Sequence, residues 1–302
     1  MLGDSRVATF ASKAAQLRAL LRDERPLVLP GVFNGISALA AEAAGARAVY
    51  ISGAGIINGT AGFPDIGLLS MAEVAQQLRY ITGAVAIPAL ADADTGFGEG
   101  LALGRTVEEF ERAGVAGIHI EDQQMPKKCG HLEGKRLVTR QEFVQRVRAA
   151  VQARSDPNFV ICARTDARGV TGFDDAVARA RACLDAGADL IFPEALASED
   201  EFAAFAAQVP GLLLANMTEF GKTPLISAAR FAELGYAAVI FPMTGFRLAL
   251  RAMREGYATL LAEGTQRALL PRMETRRQLY DLLRYPEYER LDAELAANGG
   301  TT

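Results

Sequence analysis

The amino-acid sequence predicts a (β/α)8 barrel, the TIM-barrel fold, with additional helices at its C-terminal end. The first observation behind this prediction is a repeat, in which a helix-like pattern runs to a glycine and then into an apolar strand. The second is that four further strand-like runs lie between and around the repeats, so eight strands alternate with helices in 302 residues. A doubly wound open sheet is the alternative, but no GxGxxG motif follows the first strand.

The repeat occurs four times, and polar residues follow the strand of each copy. A glycine between helix and strand is typical of a helix C-terminus, where a positive φ angle is often needed. The order of helix and then strand favours a parallel sheet. The copies are residues 41–54, 110–122, 183–195 and 231–243, with their glycines at Gly45, Gly114, Gly187 and Gly235.

The remaining elements complete the predicted barrel. The other strands are predicted at 25–32, 85–94, 159–166 and 212–217, and helices at 100–113, 139–153, 173–186 and 245–263. A surface helix is predicted over about residues 6–22, and the segment 265–302 predicts two more helices split at Pro286. Because no linker or low-complexity segment divides the chain, we expect a single domain over residues 1–302.

The composition excludes several classes of protein. The 32 basic and 36 acidic residues give a net charge of −4, which argues against a nucleic-acid-binding protein. Three cysteines without a CxxC motif fit a reducing cytoplasm better than a disulfide framework, and two histidines are too few for a His-rich zinc site. No apolar run reaches the ~18 residues that span a membrane. The N-terminus lacks the apolar core of a signal peptide, and Asp4 counts against the weaker alternative of a transit peptide.

Polar residues stand at the ends of almost all the predicted strands. In a TIM barrel the C-terminal strand ends form one rim, which carries the active site. Any one of these residues could cap a turn, but their convergence on one rim favours a functional site. They are Tyr50, Ser52, Gly53, Asp92, Asp94, Glu121, Asp122, Arg164, Asp166, Glu194, Asn216, Thr218, Thr244 and Arg247.

The third strand ends in the sharpest of these motifs, Asp92-Ala-Asp94. Two residues apart on a strand, both carboxylates project from one face, where they repel each other unless a cation compensates them. An all-oxygen ligand set favours Mg²⁺, with Mn²⁺ as an alternative, and Glu121 from the next strand could add a third carboxylate. The other interpretation is that the aspartates cap the loop that follows.

Arginines and a thiol add to this rim. Arg164 lies within a strand, where a charge needs a partner or a ligand, and either Glu194 or Asp166 could be a purely structural partner. Guanidinium groups bind carboxylates, so the rim suits a small hydroxy-di- or tricarboxylate. Cys129 stands in a basic, glycine-containing segment of the kind that closes over a substrate. Nearby positive charge is expected to lower its pKa, and His131 could serve as its base if it acts as a nucleophile.

Six short motifs together resemble the isocitrate lyase/phosphoenolpyruvate mutase superfamily, over about residues 25–290. The combination of KKCGH with the DxD motif is specific for the lyase branch of this superfamily. The motifs are DADTGFG (92–98), IEDQ (120–123), KKCGH (127–131), ARTDA (163–167), FPEA (192–195) and NMTEFG (216–221).

The resemblance implies a barrel whose last helix is swapped between the subunits of a homotetramer, a dimer of dimers. It implies retro-Claisen cleavage of (2S,3R)-2-methylisocitrate to pyruvate and succinate, in the methylcitrate cycle of propionate catabolism. Asp92 would ligate Mg²⁺ directly, and Asp65, Asp94 and Glu121 would hold its waters. Tyr50 would help to take the hydroxyl proton, and Cys129 would protonate the succinate carbanion. The positions matching substrate contacts are Ser52, Gly53, Ala54, Gly130, Arg164, Glu194, Asn216, Thr218, Arg247 and Arg276.

Two departures from the family pattern and two matching arginines bear on the substrate. Ala54 replaces a glycine of the related SGGG motif and narrows the approach to the backbone. Phe192 stands where isocitrate lyases have a bulkier tryptophan, which leaves room for a substrate methyl group. Arg247 and Arg276 favour a tricarboxylate, because a third carboxylate needs a cationic partner. Activities on 2,3-dimethylmalate, isocitrate or oxaloacetate remain alternatives.

Two hypotheses of other kinds are weaker. A noncatalytic metabolite-binding barrel would not need Cys129. A Schiff-base aldolase would use Lys127 or Lys128, but these lysines are expected in a mobile loop, whereas such lysines need a dry pocket.

Overall fold

The structure is a computed structural model that describes residues 10–298 and divides into two compact units. The first unit extends through Phe246, and the second begins at Arg247. The prediction of one domain over residues 1–302 stays a prediction.

The first unit contains the eight parallel strands of the predicted TIM barrel, each inside its predicted segment. Their order in the sheet is β6-β5-β4-β3-β2-β1-β8-β7, and a parallel bridge between Ile191 and Leu213 closes the barrel. The fold prediction is therefore confirmed. The strands are β1 Leu27–Val32, β2 Val49–Ile51, β3 Ala89–Asp92, β4 Gly117–Glu121, β5 Val160–Thr165, β6 Leu190–Pro193, β7 Leu214–Asn216 and β8 Ala238–Phe241.

Helices alternate with these strands. The four repeat glycines all have positive φ angles, between 85° and 100°, as the helix-to-strand pattern predicts. A short helix after β2 was not predicted, and it continues into a π-helical turn, Ile57–Ala61. The helices up to residue 233 are α1 Lys13–Asp23, α2 Gly35–Ala43, α3 Gly53–Ile56, α4 Met71–Ala84, α5 Leu101–Arg112, α6 Arg140–Ala153, α7 Phe173–Asp185, α8 Glu199–Gln208 and α9 Ala228–Glu233.

Helix α1 closes the N-terminal end of the barrel. Leu17 and Leu20 belong to the same apolar cluster as the residues that fill the barrel interior. The Arg18 guanidinium donates to the Asn158 carbonyl, just before β5, and to Asp189, just before β6. The predicted helix over 6–22 lies partly outside the described residues. The observed helix is capped by the Ser12 side chain, which accepts a hydrogen bond from the Ala15 N–H.

The barrel interior leads directly to the opposite end. Alternate side chains of each strand point inward, and the inward residues near the middle are apolar or weakly polar and buried. Among them are Leu90, Cys162, Phe192 and Leu214; two residues beyond these, in the same order, stand Asp92, Arg164, Glu194 and Asn216. The inward-facing positions of these strands are therefore apolar or weakly polar in the middle and polar where the strands end.

The remaining helices are α10 Thr244–Glu263, α11 Arg276–Leu282 and α12 Tyr285–Asn298. The predicted pair of C-terminal helices is confirmed, but the chain breaks at Arg284, whose φ is 56°. Pro286 lies in the first turn of α12, where a missing backbone N–H costs no hydrogen bond. Within residues 10–298, no helix is long and apolar enough to span a membrane.

Candidate active site

A pocket opens at the C-terminal ends of the strands and has a volume of about 480 Å³, including the part open to solvent. Most of the predicted site residues line it. The lining residues are Tyr50, Ser52, Ala54, Asp65, Asp92, Lys127, Lys128, Cys129, Gly130, His131, Arg164, Phe192, Glu194, Asn216, Thr218, Ile240, Pro242 and Met243.

The other predicted residues fall in three places. Gly53 and Asp94 line a smaller adjoining cavity together with Asp65 and Asp92. Gly53 passes so close to Asp92 that a Cβ there would lie 2.7 Å from Oδ2. Glu121 is buried beside the pocket. Arg247 and Arg276 belong to the second unit, so their substrate contacts stay predictions.

The acidic edge of the pocket already contains one cation, the ammonium of Lys127. It forms ion pairs with both Asp65 and Asp94, and only 4% of its side chain is exposed. Burial alone would lower the pKa of Lys127, but the carboxylates of Asp94 and Asp65 outweigh burial and raise it well above the usual value. Lys127 is therefore charged and is not a nucleophile. The expectation that Lys127 lies outside a dry pocket is wrong, because its side chain is buried.

The residues present fit a magnesium ion with few direct protein ligands. Asp92, Asp94 and Glu121 supply oxygen atoms alone, the donor type that Mg²⁺ prefers. Burial raises the pKa of both Asp94 and Glu121, and Glu121 Oε1 has no hydrogen-bond partner among residues 10–298. No three His, Cys, Asp or Glu side chains in this range could hold a metal by themselves. Mg²⁺ commonly keeps several waters and binds one or two carboxylates plus substrate, so the donors suit it.

Tyr50 and His119 form a hydrogen-bonded pair at the floor of the pocket. The Tyr50 hydroxyl lies 2.8 Å from His119 Nε2, which is 3.4 Å from Asp92 Oδ1. Burial, followed by the positive charge of Arg164, lowers the pKa of His119 to about 3, so its ring is neutral. Burial and the Asp92 carboxylate raise the pKa of Tyr50 well above its usual value. Tyr50 is thus a neutral phenol that can donate or accept a hydrogen bond.

Arg164 is the centre of a buried ion-pair network. Its guanidinium lies 3.1 Å from Asp166, 3.3 Å from Glu121 and 3.9 Å from Glu194. Although burial alone would lower the pKa of Arg164, the carboxylates, Asp166 foremost, raise it. The register of the sheet explains this arrangement, because Glu121 on β4 pairs directly with Arg164 on β5. Arg164 therefore has the structural partners that the sequence suggested, and it also lines the pocket.

Glu194 is held between three side chains. Its carboxylate lies 2.8 Å from His131 Nε2 and accepts a hydrogen bond of 3.2 Å from the Asn216 amide. Burial raises the pKa of Glu194, but Arg164 and His131 outweigh burial and lower it, so Glu194 is ionised. The other ring nitrogen of His131, Nδ1, accepts a hydrogen bond from the Lys222 N–H. Both ring nitrogens therefore have partners other than Cys129, and the role of His131 as a base stays a prediction.

Cys129 lies in the segment of residues 125–138, which we call the thiol loop. Part of its side chain is exposed. Desolvation of the sulfur nevertheless raises the pKa of the thiol, and the Glu194 carboxylate adds to the increase. The expected decrease is wrong because the neighbouring lysine heads bind elsewhere, Lys127 to carboxylates and Lys128 to the Glu133 carbonyl. The thiol is protonated at neutral pH, which suits a proton donor.

Comparison with known proteins identifies the family. The sequence model of the phosphoenolpyruvate phosphomutase family matches residues 17–261. The chain belongs to this family. The sequence resemblance to the isocitrate lyase/phosphoenolpyruvate mutase superfamily is therefore confirmed.

The similar proteins include lyases found by sequence and two proteins with solved structures. A 2-methylisocitrate lyase of Aeropyrum pernix is 51% identical over 93% of this chain and 90% of the relative, and one of Bacillus subtilis is 44% identical over 94% and 93%. A crystal structure of 2,3-dimethylmalate lyase matches 95% of this chain and 96% of its own, with a TM-score of 0.89 and 38% identity. A structure of oxaloacetate acetylhydrolase with 3,3-difluorooxalacetate gives a TM-score of 0.89 and 34% identity, over 94% and 97% of the two chains.

Sequence reasoning missed His119 as a residue of this site. It also missed the burial of Lys127. A signal for His119 was present, since it lies two residues before Glu121 on β4 and therefore points to the same face. It is also the register partner of Asp92 on β3. No local pattern separates Lys127 from Lys128, whose burial differs only because the loop folds back against Asp65 and Asp94.

Proposed function

We propose that this protein is a carbon–carbon lyase that cleaves 2-methylisocitrate to pyruvate and succinate. The observation that carries the proposal is the pocket itself, in which Cys129 and Arg164 share one cavity with the carboxylate of Asp92. Its relatives support the substrate, since two proteins named 2-methylisocitrate lyase are 51% and 44% identical over 93% and 94% of this chain. Phe192 in the pocket leaves room for the substrate methyl group.

The residues suit the two proton transfers of this reaction. As the C–C bond breaks, the hydroxyl proton leaves and a carbonyl forms on the pyruvate product, while the electron pair stays on the succinate carbon. Tyr50, hydrogen-bonded to the neutral His119, can hydrogen-bond the substrate hydroxyl and help its proton to leave to water in the open pocket. The protonated Cys129 thiol can then donate a proton to the carbanion. Arg164 stabilises negative charge on the carboxylates of the substrate.

Magnesium, with Mn²⁺ as an alternative, is part of the proposal. Asp92 would hold the ion directly, and Asp65, Asp94 and Glu121 would hold its waters. When bound, it would polarise the oxygens of the α-oxo acid product and stabilise their negative charge. Supporting observations are the all-oxygen donor set and the unpartnered Glu121 Oε1.

We further propose that the enzyme is a cytoplasmic homotetramer of the methylcitrate cycle, with its last helix exchanged between subunits. The second unit supports an oligomer, because α10 contains no buried residue and Tyr257 and Leu261 are 63% and 86% exposed. Light scattering of the protein as it elutes from a size-exclusion column should give the mass of four chains per particle. A monomeric mass would contradict this assembly.

The test of the activity is a coupled assay. Purified protein with Mg²⁺ and 2-methylisocitrate is expected to release pyruvate, detected with lactate dehydrogenase, and EDTA should abolish the release. Cys129→Ser should retain substrate binding by calorimetry but lose turnover by about 10²–10⁴-fold, the usual contribution of a positioned acid. Cys183→Ala, which removes a buried thiol outside the pocket, is the matched control and should keep turnover.

A second candidate is cleavage of 2,3-dimethylmalate, favoured by the likeness to the crystal structure of that lyase. Isocitrate, 2,3-dimethylmalate and oxaloacetate should therefore be assayed in parallel. Turnover of dimethylmalate without turnover of 2-methylisocitrate would refute the proposed substrate. Binding without turnover of any of the four compounds would indicate a noncatalytic metabolite-binding barrel.

A further inference from the structure

The thiol loop is bonded firmly at its base. The Gln124 N–H donates to the Arg136 carbonyl at 2.8 Å, and the Val138 N–H donates to the Asp122 carbonyl at 2.9 Å. The Gln123 side chain also bonds the backbone of Lys128, both as donor and as acceptor. These bonds fix where the loop leaves the barrel. They do not fix the two residues at its tip that face the pocket, Cys129 and Gly130.

From inside the loop, the Leu132 N–H donates to the Cys129 carbonyl at 2.9 Å, and Lys135 supplies a side-chain contact to the next residue. Its ammonium donates to the Gly130 carbonyl and, at 2.7 Å, to Asp166 Oδ1. Only 3% of the Lys135 side chain and none of the Asp166 side chain is exposed. A lysine buried in this way connects the loop tip to a carboxylate at the end of β5.

The same carboxylate also binds Arg164. The Arg164 Nε lies 3.1 Å from Asp166 Oδ2, so one carboxylate joins the loop lysine to the pocket arginine. Gly130 packs directly on this arrangement, because a Cβ there would lie 2.5 Å from Arg164 Nη2 and 2.6 Å from Glu194 Cδ. The Gly130 peptide is therefore held by Lys135 at its carbonyl and by Arg164 and Glu194 at its Cα.

We propose that Lys135 is a positioning residue for the thiol, which fixes the Gly130 carbonyl, next to Cys129, against the Arg164–Asp166 pair. The part of this inference that concerns turnover rests on the proposed function, whereas the part that concerns the loop does not. The competing explanation is that Lys135 only neutralises the buried charge of Asp166. That role would require the contact with Asp166 but not the contact with the Gly130 carbonyl.

The experiment compares Lys135→Met with Lys128→Met, a matched variant whose lysine belongs to the same loop and donates to the exposed Glu133 carbonyl. The first readout is the rate at which iodoacetamide alkylates the protein. Because Cys162 and Cys183 are buried, this rate reports on Cys129. We expect Lys135→Met to be alkylated at least about fivefold faster than wild type, since a freed tip relieves the desolvation that raises the pKa of the thiol, and Lys128→Met to match wild type.

The second readout is turnover of 2-methylisocitrate. We expect kcat of Lys135→Met to fall roughly 10- to 100-fold, the rate equivalent of one hydrogen bond to a charged group, with KM changed less than about threefold. Lys135→Arg, which keeps a charged donor, should recover most of kcat. If Lys135→Met does not fold by circular dichroism, Lys135→Ala, which has no donor for either acceptor, takes its place.

The two readouts separate the explanations. Wild-type alkylation in a folded Lys135→Met or Lys135→Ala protein would overturn the proposal, whatever happens to kcat, because the loop tip would be in place without the lysine. Faster alkylation with unchanged kcat would overturn the part that concerns turnover. If the wild-type protein does not cleave 2-methylisocitrate, the proposed function fails, and the alkylation rates still decide whether Lys135 positions the thiol.

Discussion

Replacing Lys127 with methionine should destabilise the protein, because it disturbs the acidic edge of the site. Methionine keeps the length of the side chain but removes the ammonium that pairs with Asp65 and Asp94. The side chains of these aspartates are only 18% and 17% exposed, so water cannot replace the lost partner fully. The variant therefore retains two nearby carboxylates without the cation that compensates them.

The expected loss of stability is large. Removing one partner of a buried ion pair typically costs about 3–5 kcal/mol, which corresponds to roughly 5–8 °C in apparent melting temperature for a chain of this size. Burial already raises the pKa of Asp94, and Lys127 opposes that increase, so the variant raises this pKa further. A carboxyl group with a raised folded-state pKa destabilises the protein above its unfolded pKa and not below it. The loss in free energy of unfolding should therefore be greatest near pH 7.5 and become smaller as the pH falls toward 4.

Thermal and urea unfolding in EDTA, at pH 7.5 and at pH 5, would measure this effect. Lys128→Met is the matched control, because the Lys128 head is exposed and bonds a single carbonyl, and its unfolding should stay within about 0.5 kcal/mol of wild type. Added Mg²⁺ should return part of the lost stability to Lys127→Met, since a divalent cation can compensate the same carboxylates. Equal stability of the two variants at pH 7.5 would refute the assignment of Lys127 as a buried counter-charge.

Three further predictions concern the barrel and the pocket. Leu17→Ala, at a fully buried position of α1, should lower the free energy of unfolding by about 2–5 kcal/mol in urea, and a changed KM would contradict a purely structural role. Gly221→Ala would place a Cβ 2.7 Å from His131 Nδ1 and displace the ring from Glu194, so calorimetry should show weaker binding of 2-methylisocitrate, and wild-type affinity would count against this contact. The ring of His119, whose pKa burial lowers to about 3, should show no titration by NMR between pH 5 and 8, and a midpoint near 6.5 would disprove its neutral state.

The barrel could be predicted from sequence because its signals are local. Each repeat glycine adopts the positive φ that its place between helix and strand requires, as Gly114 does with a φ of 85°. The period of two along the strands predicts which residues reach the rim, as in the step from Leu90 to Asp92. Polar residues at such steps identify the site without knowledge of any distance.

The electrostatics of the site could not be predicted in the same way. Lys127, Lys128 and His131 near Cys129 suggested a lowered thiol pKa, yet desolvation and Glu194 raise it. The sign depends on where each lysine head goes, and this is set by residues far away in sequence, such as Asp65 for Lys127. A count of charges along the chain gives no such information. The burial of Lys135 beside Asp166 is hidden from the sequence for the same reason.

The balance of buried charge also argues that ligand binding needs a divalent cation. Carboxylates outnumber the cations bonded to them at this rim, since Asp65 and Asp94 share Lys127, while Arg164 is bonded to several acidic groups. A di- or tricarboxylate ligand would add further negative charge in a partly desolvated pocket, where repulsion is strong.

Succinate and 2-methylisocitrate should therefore bind Cys129→Ser, which does not consume the substrate, at least about tenfold more tightly in Mg²⁺ than in EDTA. That ratio is a coupling free energy of about 1.4 kcal/mol, at the low end for linked binding sites. Calorimetry in both buffers measures it, with wild-type protein and succinate as the control for the serine substitution. Equal affinities would mean that cationic side chains, such as the predicted Arg247 and Arg276, compensate the ligand by themselves, and the acidic rim would then need another role.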